Sequence, residues 1–157
     1  MKSHVTKEES ASIAGVLTIS KFKNGQKIWQ SEPMHNKVVS SDGYGRNLLM
    51  RKLAGVDTYP VEIDSFSLGD GTTAPVDADT GLENSLVSGV DLTNVVLSNN
   101  VLTIDVFISD DNLPDDTYAE AGFFCTARLF SRILLTAPYT KSTGEDTLFS
   151  YTLTFTG

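Results

Sequence analysis

The sequence predicts a mainly β protein: an antiparallel β-sandwich, jelly-roll-like, with one short α-helix. Two observations lead to this prediction. Apolar and polar residues alternate in several segments, as in "NNVLTIDVFISDD" and "DTLFSYTLTFTG", and turn residues bound each of them. Helical spacing occurs in one segment only. Short strands separated by turn signals, with little helix, are typical of sandwiches and barrels.

Composition predicts a single folded domain. Hydrophobic residues make up 40% of the 157-residue chain and charged residues 20%, as in ordinary folded proteins. The first fourteen residues are polar and lack periodicity, so we expect residues 1–14 to be a flexible N-terminal arm and residues 15–157 to be one β-sandwich domain. The sequence contains neither a membrane-spanning apolar run nor a secretory signal pattern, so we expect neither.

Two pairs of turn residues predict hairpins. Asn24-Gly25 and Asn99-Asn100 each stand between two apolar runs, and both residues of such a turn must tolerate positive φ. Pro138 is expected to end the strand before it. The eight predicted strands span residues 15–22, 26–31, 61–68, 94–98, 101–109, 118–125, 129–136 and 147–155.

The helix is predicted in "SSDGYGRNLLMRKLAG". Ser41 or Asp42 is the expected N-cap, and Gly55 the expected stop. Basic residues in the last turns favour a helix C-terminus. The apolar stripe begins near Tyr44 and consists of Leu48, Leu49 and Leu53.

Charge is distributed very unevenly. The net charge is −8, but residues 1–52 carry nine Lys/Arg against four acidic residues, whereas residues 53–127 carry fourteen Asp/Glu and no Lys/Arg. A body this acidic repels nucleic-acid phosphates and anionic membranes, so we expect neither as a partner. The basic first third either contacts an acidic partner or is simply solvated.

The loop "SLGDGTTAPVDADTGLENSLV", residues 67–87, raises the question of ligand binding. Asp70 between the two glycines opposes an anion, and no lysine is near to reach a phosphate. Calcium is a weaker alternative to plain solvated turns, because carboxylates suit a hard cation. We otherwise expect no cofactor. The candidate calcium ligands are Asp70, Asp77 and Asp79 in this loop, and Asp110, Asp111, Asp115 and Asp116 in "SDDNLPDD".

A shaped corner is the mechanical interpretation of the same loop. The glycines of "LGDG" permit a tight turn and Pro75 stiffens its exit. Asp79 or Thr80 is then expected to cap a short helical turn around residues 82–86.

Residues for catalysis are scarce, and we expect no enzyme. His35 is the only internal histidine and has no serine or cysteine motif around it. The single Cys125 lies among aromatics and is interpreted as a buried, inert thiol. Glu83 and Glu120 could form a carboxylate pair in a sandwich, but nothing in the sequence selects them.

Four residues are candidates for an interface. Trp29 and Tyr118 could form an aromatic platform for a sugar or peptide, although aromatics on strands more often belong to a core or an interface. Lys21 and Lys23 lie on the basic hairpin beside Trp29.

Four segments, in this order, resemble a known group of proteins. They are "HNKVVSSDGYGRNLLMRKLAG", "IDSFSLGDGTTAPVDADTGLENSLV", "YAEAGFFC" and "ARLFSRILLTAPYTKSTGEDTLFSYTLTFTG". They are similar to small virion proteins of tailed phages, which share an LGxGTTAP turn, an EAGLF strand and a terminal TLTF strand. The similarity covers roughly residues 36–157.

This resemblance implies a β-sandwich that serves as a building block of a phage particle, assembled in the bacterial cytoplasm. We expect a non-enzymatic capsid decoration or cement protein that forms a homo-oligomer, expected to be a trimer, on phage coat proteins. Two alternatives remain: a tail-side component contacting tail proteins, such as a baseplate, collar or fibre adaptor, or a carbohydrate- or receptor-binding module.

Overall fold

The computed structural model describes residues 10–56 and 59–157. Within these ranges, two antiparallel sheets pack together and a single short α-helix accompanies them, which confirms the predicted β-sandwich. The strands are β1 Ser12–Lys23, β2 Gln26–Gln30, β3 Met34–His35, β4 Lys37–Val38, β5 Ser65–Gly69, β6 Ser85–Asp91, β7 Asn94–Ser98, β8 Val101–Ile108, β9 Asp116–Cys125, β10 Arg128–Lys141 and β11 Asp146–Thr156; the helix is α1 Arg46–Leu53 and a 3₁₀ turn covers Asp110–Asn112.

The strand order leaves two edges on each sheet. The first sheet runs β2-β1-β11-β8-β7, with β3 also paired to β1, and the second runs β4-β10-β9-β5-β6. The first and last long strands, β1 and β11, pair from Ser12↔Thr156 to Phe22↔Asp146. The hairpins β5–β6, β7–β8 and β9–β10 each stay within one sheet.

The core fills the space between the inner faces. Ile104, Val106 and Ile108 of β8 are buried whereas Phe107 is about half exposed, as the alternating pattern predicts. Across the interface, Phe123 stacks on Tyr151 with ring centroids 4.1 Å apart. A second cluster of Val38, Leu48, Cys125 and Phe130 joins α1 to the second sheet.

The hairpin turns follow the sequence signals. Asn24 and Asn99 adopt φ of 51° and 52°, and Gly25 adopts 77°. Asn100 does not share this conformation, so the second turn has positive φ only at its first residue. The pairs Lys23↔Gln26 and Ser98↔Val101 close the two turns, which confirms both predicted hairpins.

The strand boundaries differ from the prediction in two places. β10 continues past Pro138 to Lys141, because its register with β9 shifts between Leu134 and Tyr139 and the proline lies in that irregular stretch. The predicted helical turn around residues 82–86 is wrong, since Ser85 begins β6, which pairs with β5.

The chain start also differs from the predicted boundary. Residues 12–14, placed in the predicted arm, pair with β11 as part of β1. Residues 1–9 of that arm lie outside the described residues.

The helix begins later than predicted. Its N-cap is Gly45, at φ 51° and ψ −125°, rather than Ser41 or Asp42, and no side chain caps it. An alanine Cβ at Gly45 would lie 1.9 Å from the Val39 carbonyl oxygen, so this close backbone approach fixes the helix start. Leu48 is buried, but Leu53 is 81% exposed, so the predicted apolar stripe is only partly covered.

A close approach inside the first sheet provides a stability test. An alanine Cβ at Gly15 would lie 2.4 Å from the hydroxyl oxygen of Tyr151, whose ring is held by hydrogen bonds with Asn36 and Ser131. We expect Gly15→Ala to lower the free energy of unfolding by about 1–3 kcal/mol through overpacking. Gly81→Ala, at a glycine with no neighbour within 4 Å, is the control. Urea denaturation measures both, and equal stability of the two variants would contradict the contact.

Candidate functional site

A buried ion pair lies behind the glycine loop. Glu120 of β9 is fully buried and Arg132 of β10 is 2% exposed. The register Gly122↔Arg132 places the two side chains diagonally across the neighbouring strands. The Arg132 Nε donates to a Glu120 carboxylate oxygen at 2.7 Å.

The Glu120 carboxylate also receives backbone donors from the loop. The amides of Gly71 and Asn84 donate to Oε1 at 3.1 and 2.8 Å, and the amide of Glu83 donates to Oε2 at 3.1 Å. A buried carboxylate needs such donors to offset its lost hydration. Residues near both ends of the loop are therefore hydrogen-bonded to the side chain of Glu120.

Arg132 ties the middle of the loop. Its Nη1 donates to Asp79 at 3.1 Å and its Nη2 donates to the carbonyl oxygen of Thr73 at 3.0 Å. Glu83 lies 3.5 Å from the same guanidinium, and hydrogen bonds from Thr73 hold the pKa of Glu83 below its ordinary value. The carboxylates of Glu83 and Glu120 thus converge on an arginine, which holds the loop in a defined corner. The glycines predicted to supply the turn angles have no positive φ; instead, a Cβ at Gly71 would lie 2.5 Å from Glu120 Oε1, so this glycine leaves room for the carboxylate.

The candidate calcium ligands of this loop have protein partners. Asp70 accepts a hydrogen bond from the Asn84 amide group. Asp77 lies 3.2 Å from Lys37 Nζ and 2.9 Å from Arg46 Nη2. Asp79 is the Arg132 partner described above.

A lysine occupies the centre of the second acidic loop. Lys141 is 3% exposed, and its Nζ donates to the carbonyl oxygen of Asp110 at 3.0 Å and to the Asp115 carboxylate at 2.7 Å. Asp111 and Asp116 are exposed. Among residues 10–56 and 59–157, no three His, Cys, Asp or Glu side chains converge as a metal site requires.

The structure separates the four candidate interface residues. Tyr118 is fully buried and its hydroxyl donates to the Pro114 carbonyl oxygen at 2.7 Å, so it is a core residue and not part of a surface platform. Trp29 is 42% exposed and packs against Tyr139. Lys21 Nζ donates to Thr140 and contacts Glu145, whereas Lys23 is exposed.

Cys125 and His35, which were also considered for catalysis, lie outside the ion network of the glycine loop. Cys125 is buried, and this burial, followed by the charges of Asp64 and Glu62, raises its thiol pKa to about 12. The thiol is therefore protonated at neutral pH, as expected for an inert cysteine. His35 lies exposed on β3.

An apolar groove is the feature that sequence reasoning missed. Two adjoining cavities of about 430 and 620 Å³ share the walls Ile13, Leu49, Val61 and Phe155, and we call their union the apolar groove. One cavity extends to β7 and β8; the other extends along α1 to Met50 and Leu53.

The groove exists because sheet and helix cover one another incompletely. Its α1 wall ends in the exposed side chains of Met50 and Leu53, and β11 contributes Phe155, which is half exposed. Such a concentration of exposed apolar side chains marks an interaction surface more often than a solvated one. A partial advance signal was the position of Met50 and Leu53, which lie on the side of the helix away from the buried Leu48.

None of the helices in the described ranges has the length and apolar character needed to traverse a lipid bilayer. Comparison with protein-family models, curated proteins and solved structures found no match to this chain.

The burial of the Glu120–Arg132 pair predicts that removing Arg132 lowers stability more than removing an exposed arginine does. Arg132→Met leaves the Glu120 carboxylate buried without its cation, and we expect a loss of about 3–5 kcal/mol in the free energy of unfolding. Arg46→Met, which breaks the exposed pair with Asp77, is the matched control and should cost less than about 1 kcal/mol. Similar losses in the two variants, measured by chemical denaturation, would show that the loop does not depend on this pair.

The Lys141 cluster predicts acid sensitivity. Hydrogen bonds from Lys141 hold the carboxyl pKa values of Asp110 and Asp115 below their ordinary values. A lowered carboxyl pKa stabilises the fold above the unfolded-state pKa, about 4, and this stabilisation is lost as pH falls through the folded-state values. We therefore expect the stability difference between wild type and Lys141→Met to shrink as pH falls below about 4.

Urea denaturation at several pH values measures this difference. Lys27→Met, at an exposed lysine whose side chain donates to the neutral Gln30, is the control and should give a small difference that does not change with pH. A Lys141→Met difference that stayed constant down to acid pH would exclude the proposed coupling.

Proposed function

We propose that this chain is a non-enzymatic structural protein of a tailed-phage virion, and specifically a capsid decoration or cement protein. The observation that carries the proposal is the apolar groove with the exposed side chains of Met50, Leu53 and Phe155 at its rim. A soluble domain seldom leaves such side chains adjacent unless another protein covers them.

The physical role follows from what such a surface does. Each apolar area removed from water contributes about 25 cal/mol per Å². A protein that binds only the assembled particle stabilises that assembly by mass action. Most of the groove lining is aliphatic or aromatic and suits this task because such side chains bury surface, although Glu62, Arg46 and Lys52 also line it.

The ordered sequence segments support the phage context. The LGxGTTAP-type turn, the strand with Glu120 and the strand with Arg132 are the parts of the chain that resemble virion proteins, and the structure joins them in one ion network. We further propose a homo-oligomer, expected to be trimeric, on coat proteins of a particle assembled in the bacterial cytoplasm. No cofactor is needed for this role.

Deleting the gene from the phage that carries it tests the cement role. We expect particles without this protein to release DNA at a lower temperature than complete particles, and to resist low ionic strength less well, because the stabilising contacts are lost. Fluorescent-dye access to DNA during heating measures the release. Equal resistance of both particles would reject the cement role.

Copy number separates head from tail. A decoration protein should be present in hundreds of copies per particle, whereas a baseplate, collar or fibre adaptor should be present in roughly a dozen. Both copy numbers follow from the symmetry of the part of the particle that the protein would occupy. Quantitative mass spectrometry of purified particles measures the ratio to the major coat protein.

The groove itself is tested by a charge at its rim. Leu53→Glu places a carboxylate on an exposed helix position, so the fold should be unaffected while re-binding to particles lacking the protein falls at least tenfold. Val76→Glu, a half-exposed apolar residue outside the groove lining, is the matched control and should bind normally. Normal binding of both variants would show that another surface docks.

A further inference from the structure

The two edges of the first sheet are unusually alike. β2 and β7 are each five residues long, and every residue of both is exposed. Within the described residues, β2 pairs with β1 and β7 pairs with β8, and both stand at the ends of the strand order. Alternate backbone N–H and C=O groups of an edge strand point away from its neighbour, ready to pair with another strand.

Both edges carry apolar side chains that the chain leaves uncovered. On β7, Val95, Val96 and Leu97 are 51%, 50% and 72% exposed. Val95 lies opposite the buried Ile104, so Val95 and Leu97 continue the inner face of the sandwich and Val96 the outer face. On β2, Ile28 and Trp29 are about half exposed. Natural proteins usually protect such edges with charges, proline or bulges. β7 has none of these, whereas β2 carries Lys27 and a register shift against β1 that leaves Ile28 without a partner on that strand.

Charge distinguishes the two edges. Residues 12–31, around β2, contain Lys21, Lys23 and Lys27 and no acidic residue. Lys21 is paired with Glu145 within the chain, so Lys23 and Lys27 are the lysines that would face a neighbour. Residues 92–104, around β7, contain no charged residue, and the nearest ones along the chain are the acidic Asp91 and Asp105. Two β7 edges brought together would place like charges side by side, whereas β7 against β2 places lysines beside carboxylates.

We propose that β7 of one copy pairs with β2 of the next copy, so that the first sheets of neighbouring protomers join edge to edge. The contact buries Val96 beside Ile28 of the neighbour, with Val95 and Leu97 toward the side of its Trp29. This inference deepens the proposed function, on which it rests for the expectation that copies of the chain associate.

The contact is head-to-tail, because it joins two different edges. A head-to-tail contact closes into a ring when its rotation closes, and otherwise it extends. A ring of three copies, the expected trimer, is one closed form of this contact. The part of the apolar groove beside α1 lies apart from this β7–β2 contact. That part therefore remains available to a particle protein.

A pair of cysteine variants tests the geometry. Ile28 and Val96 are the central residues of their strands, and cross-strand Cα separations of about 4.5–5.5 Å fall within the range that a disulfide spans. We expect Ile28→Cys mixed with Val96→Cys to form disulfide-linked dimers under mild oxidation, whereas each variant alone stays unlinked. The native Cys125 is buried and does not compete.

A charge reversal tests the electrostatic part. Lys23→Glu, introduced into the Ile28→Cys chain, should lower the yield of linked dimer several-fold, because it puts a carboxylate beside Asp91 and Asp105 of the neighbour. Lys37→Glu on β4, an edge of the second sheet, is the matched control and should leave the yield unchanged.

The outcomes separate this inference from the proposed function. Linking of Val96→Cys alone would show two-fold pairing of β7 and overturn the head-to-tail contact. If the mixture of Ile28→Cys and Val96→Cys forms no disulfide, the head-to-tail contact is also overturned. This holds whether sedimentation then shows an oligomer, which would use another surface, or a monomer at high concentration. The stability of particles after gene deletion tests the proposed function independently. Linked dimers, together with particles whose heat resistance is unchanged by the deletion, would support the contact and reject the cement role.

Discussion

The structure depends on one fully desolvated carboxylate. Glu120 lies in the middle of the second sheet, where an unpaired charge would be prohibitively costly. It is retained because Arg132 and three loop amides surround it, so the cost of burying the carboxylate is offset only when the loop closes. The loop between β5 and β6 is thereby folded by the sheet beneath it, and its conformation is coupled to the pairing of β9 with β10.

This coupling explains why an acidic, glycine-rich segment forms a defined corner instead of a mobile connection. Asp79 and Glu83 approach the same guanidinium, and Asp77 approaches Lys37 and Arg46 on the strand and helix before it. In this acidic chain, Lys37, Arg46 and Arg132 each pair with specific carboxylates. Lys141 does the same for Asp110 and Asp115 at another loop. The charge asymmetry of the sequence is thus partly cancelled in space by pairs far apart along the chain.

The surfaces left over after this internal pairing are of two kinds. One is the apolar groove beside α1, and the other is the set of open strand edges, of which β2 and β7 belong to the first sheet. They face different tasks: a groove accepts side chains of a partner, whereas an open edge accepts a strand. Under the proposed function, the groove would receive a particle protein while an edge strand receives another copy of the chain.

The sequence by itself determined the elements whose causes are local. Alternation set the faces of β8 and β11, and Asn-Gly and Asn-Asn placed two hairpin turns, because period and turn conformation depend only on neighbouring residues. Tertiary structure decided the rest. Tyr118 became core because two sheets closed over it, β6 formed because β5 offered it an edge, and Glu120 met Arg132 because β9 and β10 pair in one particular register. The apolar groove likewise arises from incomplete coverage between a helix and a sheet, a property of their packing that no single segment encodes.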